Sequence, residues 1–164
     1  MEFLGLPAQH LERDLRDAIV AHLREFILEF TQDFAFIGQE YRLQVGNQDF
    51  FIDLLFQNRD LNCLFAIELK TGRFKPEYVS QLDFYLEALD RDVKKPHENP
   101  SVGLVLCAAK DDTVVEYALS RSLSPSMVAE YQLRLPDKAT LQAKLRELAD
   151  MAEVEVAQAS DDDD

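Results

Sequence analysis

The chain is 164 residues long, 47% apolar and strongly acidic, with 31 Asp and Glu against 17 Lys and Arg and a formal net charge of −14. That is enough apolar material for one domain to build a core without disulfides or a structural metal, and too much negative charge for a uniformly basic nucleic-acid-binding face. No apolar stretch reaches the ~20 residues of a membrane span, and Met1-Glu2-Phe3-Leu4 lacks the basic and long apolar segments of a secretory signal, so a cytoplasmic location is expected.

In chain order, apolar residues first recur at helical spacing: Leu11, Leu15, Ile19, Leu23, Phe26 and Phe30 predict one amphipathic helix. Phe34 opens a strand that continues toward Val45, and Gly46-Asn47 marks a turn into a second strand, Phe50 to Phe56. Asn58-Arg59-Asp60 is a further turn, followed by a third strand, Leu64 to Lys70. Gly72 ends that strand, and Pro76 suits the first turn of a helix running to about Leu89. After the polar loop Lys94 to Pro100, Val102 to Cys107 reads as a buried strand and Thr113 to Leu119 as a strand nearer an edge. Val128 to Leu133 is a further short strand candidate, and Leu141 to Met151 a final helix. Residues 1–152 are expected to form one domain, and residues 153–164, ending in four aspartates, an acidic disordered tail. A helix, a three-strand meander, a crossing helix and two more strands make an α/β fold with a mixed central sheet. Cys63 and Cys107 lie in apolar runs outside any C-x-x-C and read as buried, reduced thiols.

Three ionisable residues stand out inside these strands: Asp53 between Ile52 and Leu54, then Glu68 and Lys70. A lone carboxylate in an apolar strand is costly to bury unless it is paired or binds a metal. Residues two apart share a strand face, so Glu68 and Lys70 project together. If the second and third strands form a hairpin, residues pair at a constant sum of positions; a sum of 121, one register that the Asn58-Arg59-Asp60 turn allows and the sequence does not fix, sets Asp53 opposite Glu68 and leaves the loop near residues 58–63. Two carboxylates so placed repel unless a cation lies between them. Lys70 could serve in part, and Mg²⁺, which takes one or two carboxylates with waters and phosphate oxygens, could do the rest. A Glu-x-Lys pair at a strand end is commonplace on its own; the buried Asp53 is what turns the group toward a metal site for phosphodiester hydrolysis. On the Pro76 helix, Gln81 and Tyr85 are spaced i and i+4 on one face. Taken alone, Tyr85 reads better as a core-flanking tyrosine with a satisfied hydroxyl.

Asp53 followed by Glu68-Leu69-Lys70 resembles the signature of the PD-(D/E)XK nucleases, and Gln81-x-x-x-Tyr85 resembles an additional motif of their RecB-type branch. More closely, Phe34-Ala35-Phe36-Ile37-Gly38, Ile52-Asp53-Leu54-Leu55-Phe56, Ile67 to Gly72, Phe74-Lys75-Pro76-Glu77-Tyr78, Phe84-Tyr85, Glu98-Asn99-Pro100 and Val115 to Leu119 are similar to the C-terminal domain of YhcG-like nucleases, over roughly residues 10–136. The resemblance implies a restriction-endonuclease-like core, a DNA substrate and dependence on Mg²⁺, with Mn²⁺ as a substitute. It gives Asp53 and Glu68 the metal positions, Lys70 the catalytic lysine position, and Gln81 and Tyr85 accessory positions. It also implies a glutamate from the first helix, Glu12 or Glu29, with Glu12 preferred as a metal ligand. Ile52 stands where the signature has its nominal proline. The resemblance leaves room for a homodimer, and for an N-terminal DNA-recognition domain that is separate from or missing from this chain.

Arg73 and Lys75, directly after Lys70, are the expected phosphate contacts, ahead of Arg59, Lys94, Lys95 and Lys110. His10, His22 and His97 have no metal-ligand spacing. The rival expectation is a non-catalytic DNA-binding or protein-interaction module that keeps the nuclease fold, which suits the net acidity.

Overall fold

The computed structural model describes the backbone of residues 8–30, 32–109, 112–120 and 123–162, and the side chains of 13–30, 32–109, 113–120 and 123–159. Its elements are α1 (Ala8–Phe30), β1 (Phe34–Val45), β2 (Gln48–Asn58), β3 (Cys63–Lys70), α2 (Pro76–Asp92), β4 (Asn99–Ala109), β5 (Asp112–Leu119), α3 (Pro125–Arg134) and α4 (Lys138–Asp162). The strands form one sheet in the order β1-β2-β3-β4-β5. All neighbours are antiparallel except β3 and β4, which run parallel and are joined by α2. A parallel pair needs such a crossover, because a tight turn can only reverse the chain. The result is the mixed α/β sheet expected from the sequence.

Two apolar layers cover the sheet. On one face, Ile19, Leu23 and Ile27 of α1, Tyr131 of α3 and Leu141, Leu145 and Leu148 of α4 pack with Phe34, Leu54, Phe56, Phe65 and Ile67. On the other, Leu82, Leu86 and Leu89 of α2 pack with Ile52, Leu55, Ala66 and Val105. Gly103 sets the depth of α2: a Cβ there would lie 2.5 Å from a Leu82 methyl, so only glycine admits the helix at this height. Gly46 has φ +63°, and with Val45 paired to Gln48 it opens a two-residue hairpin loop, where a first residue of positive φ favours glycine.

Two segments differ from the sequence expectation. Val128 to Leu133 is helical, within α3, and not a strand. Its start signal is Ser124, whose Oγ accepts from the Met127 N–H, followed by Pro125 in the first turn. A short apolar run cannot by itself separate helix from strand. In α4 the helix continues through residues 153–162, where the sequence suggested a tail. Ala152 is the last buried residue of that helix among the described side chains, and His22 of α1 bonds the Glu155 carboxylate at 2.8 Å, tying the extension to the body of the domain. Asp163 and Asp164, the last of the expected tail, lie outside the described residues.

Candidate active site

The site begins with strand register. Leu54↔Ile67, Leu55↔Ala66, Phe56↔Phe65, Gln57↔Leu64 and Asn58↔Cys63 all pair at the expected sum of 121. One step further along, Asp53 and Glu68 meet, but through their side chains. The Asp53 N–H donates to Glu68 Oε1 at 3.2 Å, and the Leu69 N–H donates to Asp53 Oδ2 at 2.7 Å. Alternation breaks here too: Ile52 packs with the α2 layer and Leu54, two residues on, with the opposite layer. The carboxylates sit where the ladder between β2 and β3 gives way, each holding a main-chain N–H of the partner strand.

Both are buried, Asp53 at 4% exposure and Glu68 at 8%. Burial pushes Glu68 from about 4.5 up to about 7, against the opposing pull of Lys70 and then Arg16. The folded chain therefore holds a proton on Glu68 that the unfolded chain has released. That contribution to stability is full below about pH 4.5 and is lost as pH rises through about 7. Urea unfolding of metal-free protein at pH 5 and pH 8 is expected to show a decline on the order of 3 kcal/mol. Glu68→Gln should abolish it, and an equal decline in that variant would assign the effect to another group.

Lys70, half-buried, holds its Nζ 5.0 Å from the centre of the Tyr78 ring on α2. Tyr85, on the same helix, is buried, and its hydroxyl accepts from Gln81 Nε2 at 3.1 Å. Burial, and next the negative charge of Glu68, raise the Tyr85 phenol, while the Gln81 bond lowers it. Phe50 packs beside Tyr85, ring centres 5.6 Å apart. Asp53, Glu68, Lys70 and Tyr85 line one open cleft of about 510 Å³, and Gln81 joins it through Tyr85.

Five further lining residues escaped the sequence reading: Phe50 above, Asp49, Phe51, Glu40 and Arg16. Phe51 is 53% exposed on the cleft wall. Glu40 falls between the pairs Gln39↔Leu54 and Tyr41↔Ile52, across from Asp53, with φ 50°, a left-handed backbone that a non-glycine residue holds at a cost of about 1 kcal/mol or more. Arg16 of α1 forms an ion pair with Asp53 Oδ1. No local signal in the sequence marks Arg16 among the arginines of α1.

Among the other expected residues, the Glu12 side chain lies outside those described, although its backbone is in α1 beside the Arg16 turn. Glu29 is thirteen residues beyond Arg16 on the same helix, about 20 Å along the axis, and is exposed, so it does not reach the site. Arg73 and Lys75 are exposed in the segment between β3 and α2 and are not part of the cleft lining. Arg59 is in the loop at the far end of the β2–β3 hairpin, Lys94 donates to the Glu98 carbonyl, and Lys110 lies outside the described residues.

Among the described residues no group of three or more His, Cys, Asp or Glu gathers to hold a metal. Asp53 and Glu68 form a pair, which suits a hard cation that fills its remaining positions with water and phosphate oxygens better than one needing an all-protein cage.

Comparison with known proteins follows this geometry. The chain matches the family described as "YhcG PDDEXK nuclease domain" over residues 1–146. It is 39% identical over 145 residues to the Escherichia coli (strain K12) protein named "Putative nuclease YhcG", covering 88% of this chain and 39% of that one. The chain thus spans well under half the length of that curated relative. A solved structure titled "Crystal structure of SSO0001" aligns with a TM-score of 0.39 at 16% identity, covering 84% of this chain and 57% of the other.

Proposed function

Because this chain belongs to the YhcG PDDEXK nuclease domain family, we propose that it is a divalent-metal-dependent DNA endonuclease domain whose chemistry rests on Asp53, Glu68 and Lys70. The observation that carries this reading is the interlock of two buried carboxylates across β2 and β3, with a lysine two residues on. Asp53 and Glu68 would hold Mg²⁺, with Mn²⁺ as a substitute. When bound, the cation supplies Lewis-acid stabilisation of phosphoryl charge and a more acidic water.

The protein's own groups do the rest. Asp53 is aimed by the Leu69 N–H, so its free lone pairs point along a fixed direction. Lys70, steadied over Tyr78, orients the attacking water and offers positive charge where phosphoryl charge develops. The Gln81 and Tyr85 pair forms a polar wall beside Glu68, with the phenol kept protonated as a donor. Arg73 and Lys75, exposed at the strand's exit, would position the phosphate backbone without reading sequence.

The test is cleavage of plasmid, branched and single-stranded DNA with Mg²⁺ or Mn²⁺. Lys70→Ala is expected to lower the rate by about 10²–10³-fold, the range for losing one group aimed at developing charge. Equal cutting by wild type and Lys70→Ala would remove the lysine from the mechanism.

A second reading, a non-catalytic DNA-binding or protein-interaction module, draws support from the net charge of −14 and from the pairing of Asp53 with Arg16. Calorimetry with Mn²⁺ separates the two, since only the nuclease requires metal binding that depends on Asp53. A cytoplasmic location, a homodimer and an N-terminal DNA-recognition domain belong to the same proposal. No helix among the described residues is long and apolar enough to cross a membrane.

A further inference from the structure

Asp53 has both carboxylate oxygens engaged: Oδ2 accepts the Leu69 N–H, and Oδ1 is paired with the Arg16 guanidinium. The first bond is built into the strand fork. The second comes from a side chain of different character. Arg16 projects from α1, its side chain is 32% exposed against 5% for Asp53, and it lines the open cleft with Lys70, the other cation of that lining. Its head therefore has a path to water and to anything that enters. Asp17 is its further acidic neighbour, at 3.7 Å and exposed.

A guanidinium seated on Asp53 Oδ1 and a divalent cation held by the same carboxylate repel each other, and they compete for the same lone pairs. A buried carboxylate left without a cationic partner is costly, so direct replacement of one by the other is favoured. Arginine is suited to such an exchange, because its planar fork binds phosphate oxygens in the same two-point manner as carboxylate oxygens.

We propose that Arg16 is a displaceable occupant of the cation position on Asp53, and that a substrate phosphate draws it away, so that metal loading is coupled to nucleic-acid binding. The inference rests on the nuclease reading of Asp53. It adds a positioning role for Arg16: in the free protein Arg16 holds Asp53 in place, and in the substrate complex it moves to a phosphate. Coupling between two ligands is reciprocal, so phosphate-bearing DNA should tighten metal binding as much as metal tightens DNA binding.

The experiment titrates Mn²⁺ calorimetrically into metal-free full chain, with and without a phosphorothioate oligonucleotide that resists cleavage. Wild type should bind Mn²⁺ on the order of tenfold more tightly when the oligonucleotide is present. Arg16→Ala and Arg16→Gln should bind Mn²⁺ on the order of tenfold more tightly than wild type without oligonucleotide, and gain less than wild type from its addition. Arg16→Lys, which keeps the charge, should behave like wild type. The pair of neutral variants guards against misfolding of either one, because Gln retains an N–H donor toward Asp53. If wild type binds Mn²⁺ in a manner lost in Asp53→Asn, but the neutral Arg16 variants bind it no more tightly, the exchange is overturned and the nuclease reading stands. If no protein in the series binds Mn²⁺, both fall.

Discussion

Replacing Asp53 by Asn is expected to cut metal-dependent DNA cleavage by about 10³-fold or more while leaving the domain folded. The substitution preserves size and an oxygen that can accept the Leu69 N–H, which now donates at 2.7 Å. What it removes is the negative charge. Lewis-acid stabilisation by a bound metal is worth several kcal/mol, and each ~1.4 kcal/mol of barrier is tenfold in rate. The structural cost is smaller. Breaking a buried ion pair is severe when the surviving charge stays buried, but the Arg16 side chain is 32% exposed and can turn to water. A loss on the order of 1 kcal/mol follows, discounted for that exposure. Single-turnover cleavage rates and thermal melts, taken on the same samples, check both parts. A variant that cuts as fast as wild type would take Asp53 out of the metal site. A melt below the assay temperature would mean that the lost activity reports folding alone.

The largest effect on stability is expected from Phe65→Ala. Phe65 is fully buried in the central strand β3, its ring 4.9 Å from that of Phe34 and 6.4 Å from that of Tyr117. Truncating a buried phenylalanine costs about 3–5 kcal/mol through lost transfer energy and the cavity left behind. Domains of this size have only about 5–15 kcal/mol in total. The urea midpoint should fall by about a fifth or more with little change in slope. An effect under about 1 kcal/mol would mean that the layer between β3 and α1 closes over the gap. Phe65 and Glu68 lie three residues apart on opposite faces of β3, one serving the α1 and α4 layer and the other the cleft. The variant therefore tests whether the site survives loss of its support.

How much of this was legible beforehand differs from residue to residue. The pairing of Asp53 with Glu68 was legible in part: Asn58-Arg59-Asp60 limits the hairpin loop and leaves few registers, and the folded sheet selects the sum of 121 among them. Gln81 and Tyr85 were, because four residues along a helix always share a face, and their hydrogen bond follows from that spacing. The helical character of Val128 to Leu133 was not, since its apolar pattern is short and the Ser124 cap outweighs it. Nor was the continuation of α4 through residues 153–162: the charged sequence offers no core-facing stripe, and the helix is carried on by the turns before it and by His22 on Glu155.

By itself the sequence determined the meander of β1, β2 and β3 and the crossing helix after it, and it allowed the register that sets Asp53 against Glu68. Those depend on turn residues, on a period of two and on a period of 3.6, all read within a few positions of each residue. Only the tertiary structure decided what stands against Asp53. Arg13, Arg16 and Arg24 all lie on α1, and nothing local distinguishes them. The choice of Arg16 depends on how α1 seats against the sheet through Ile19, Leu23 and Ile27, and burial of an apolar stripe carries no local mark of which flanking charge it brings to a site 37 residues away.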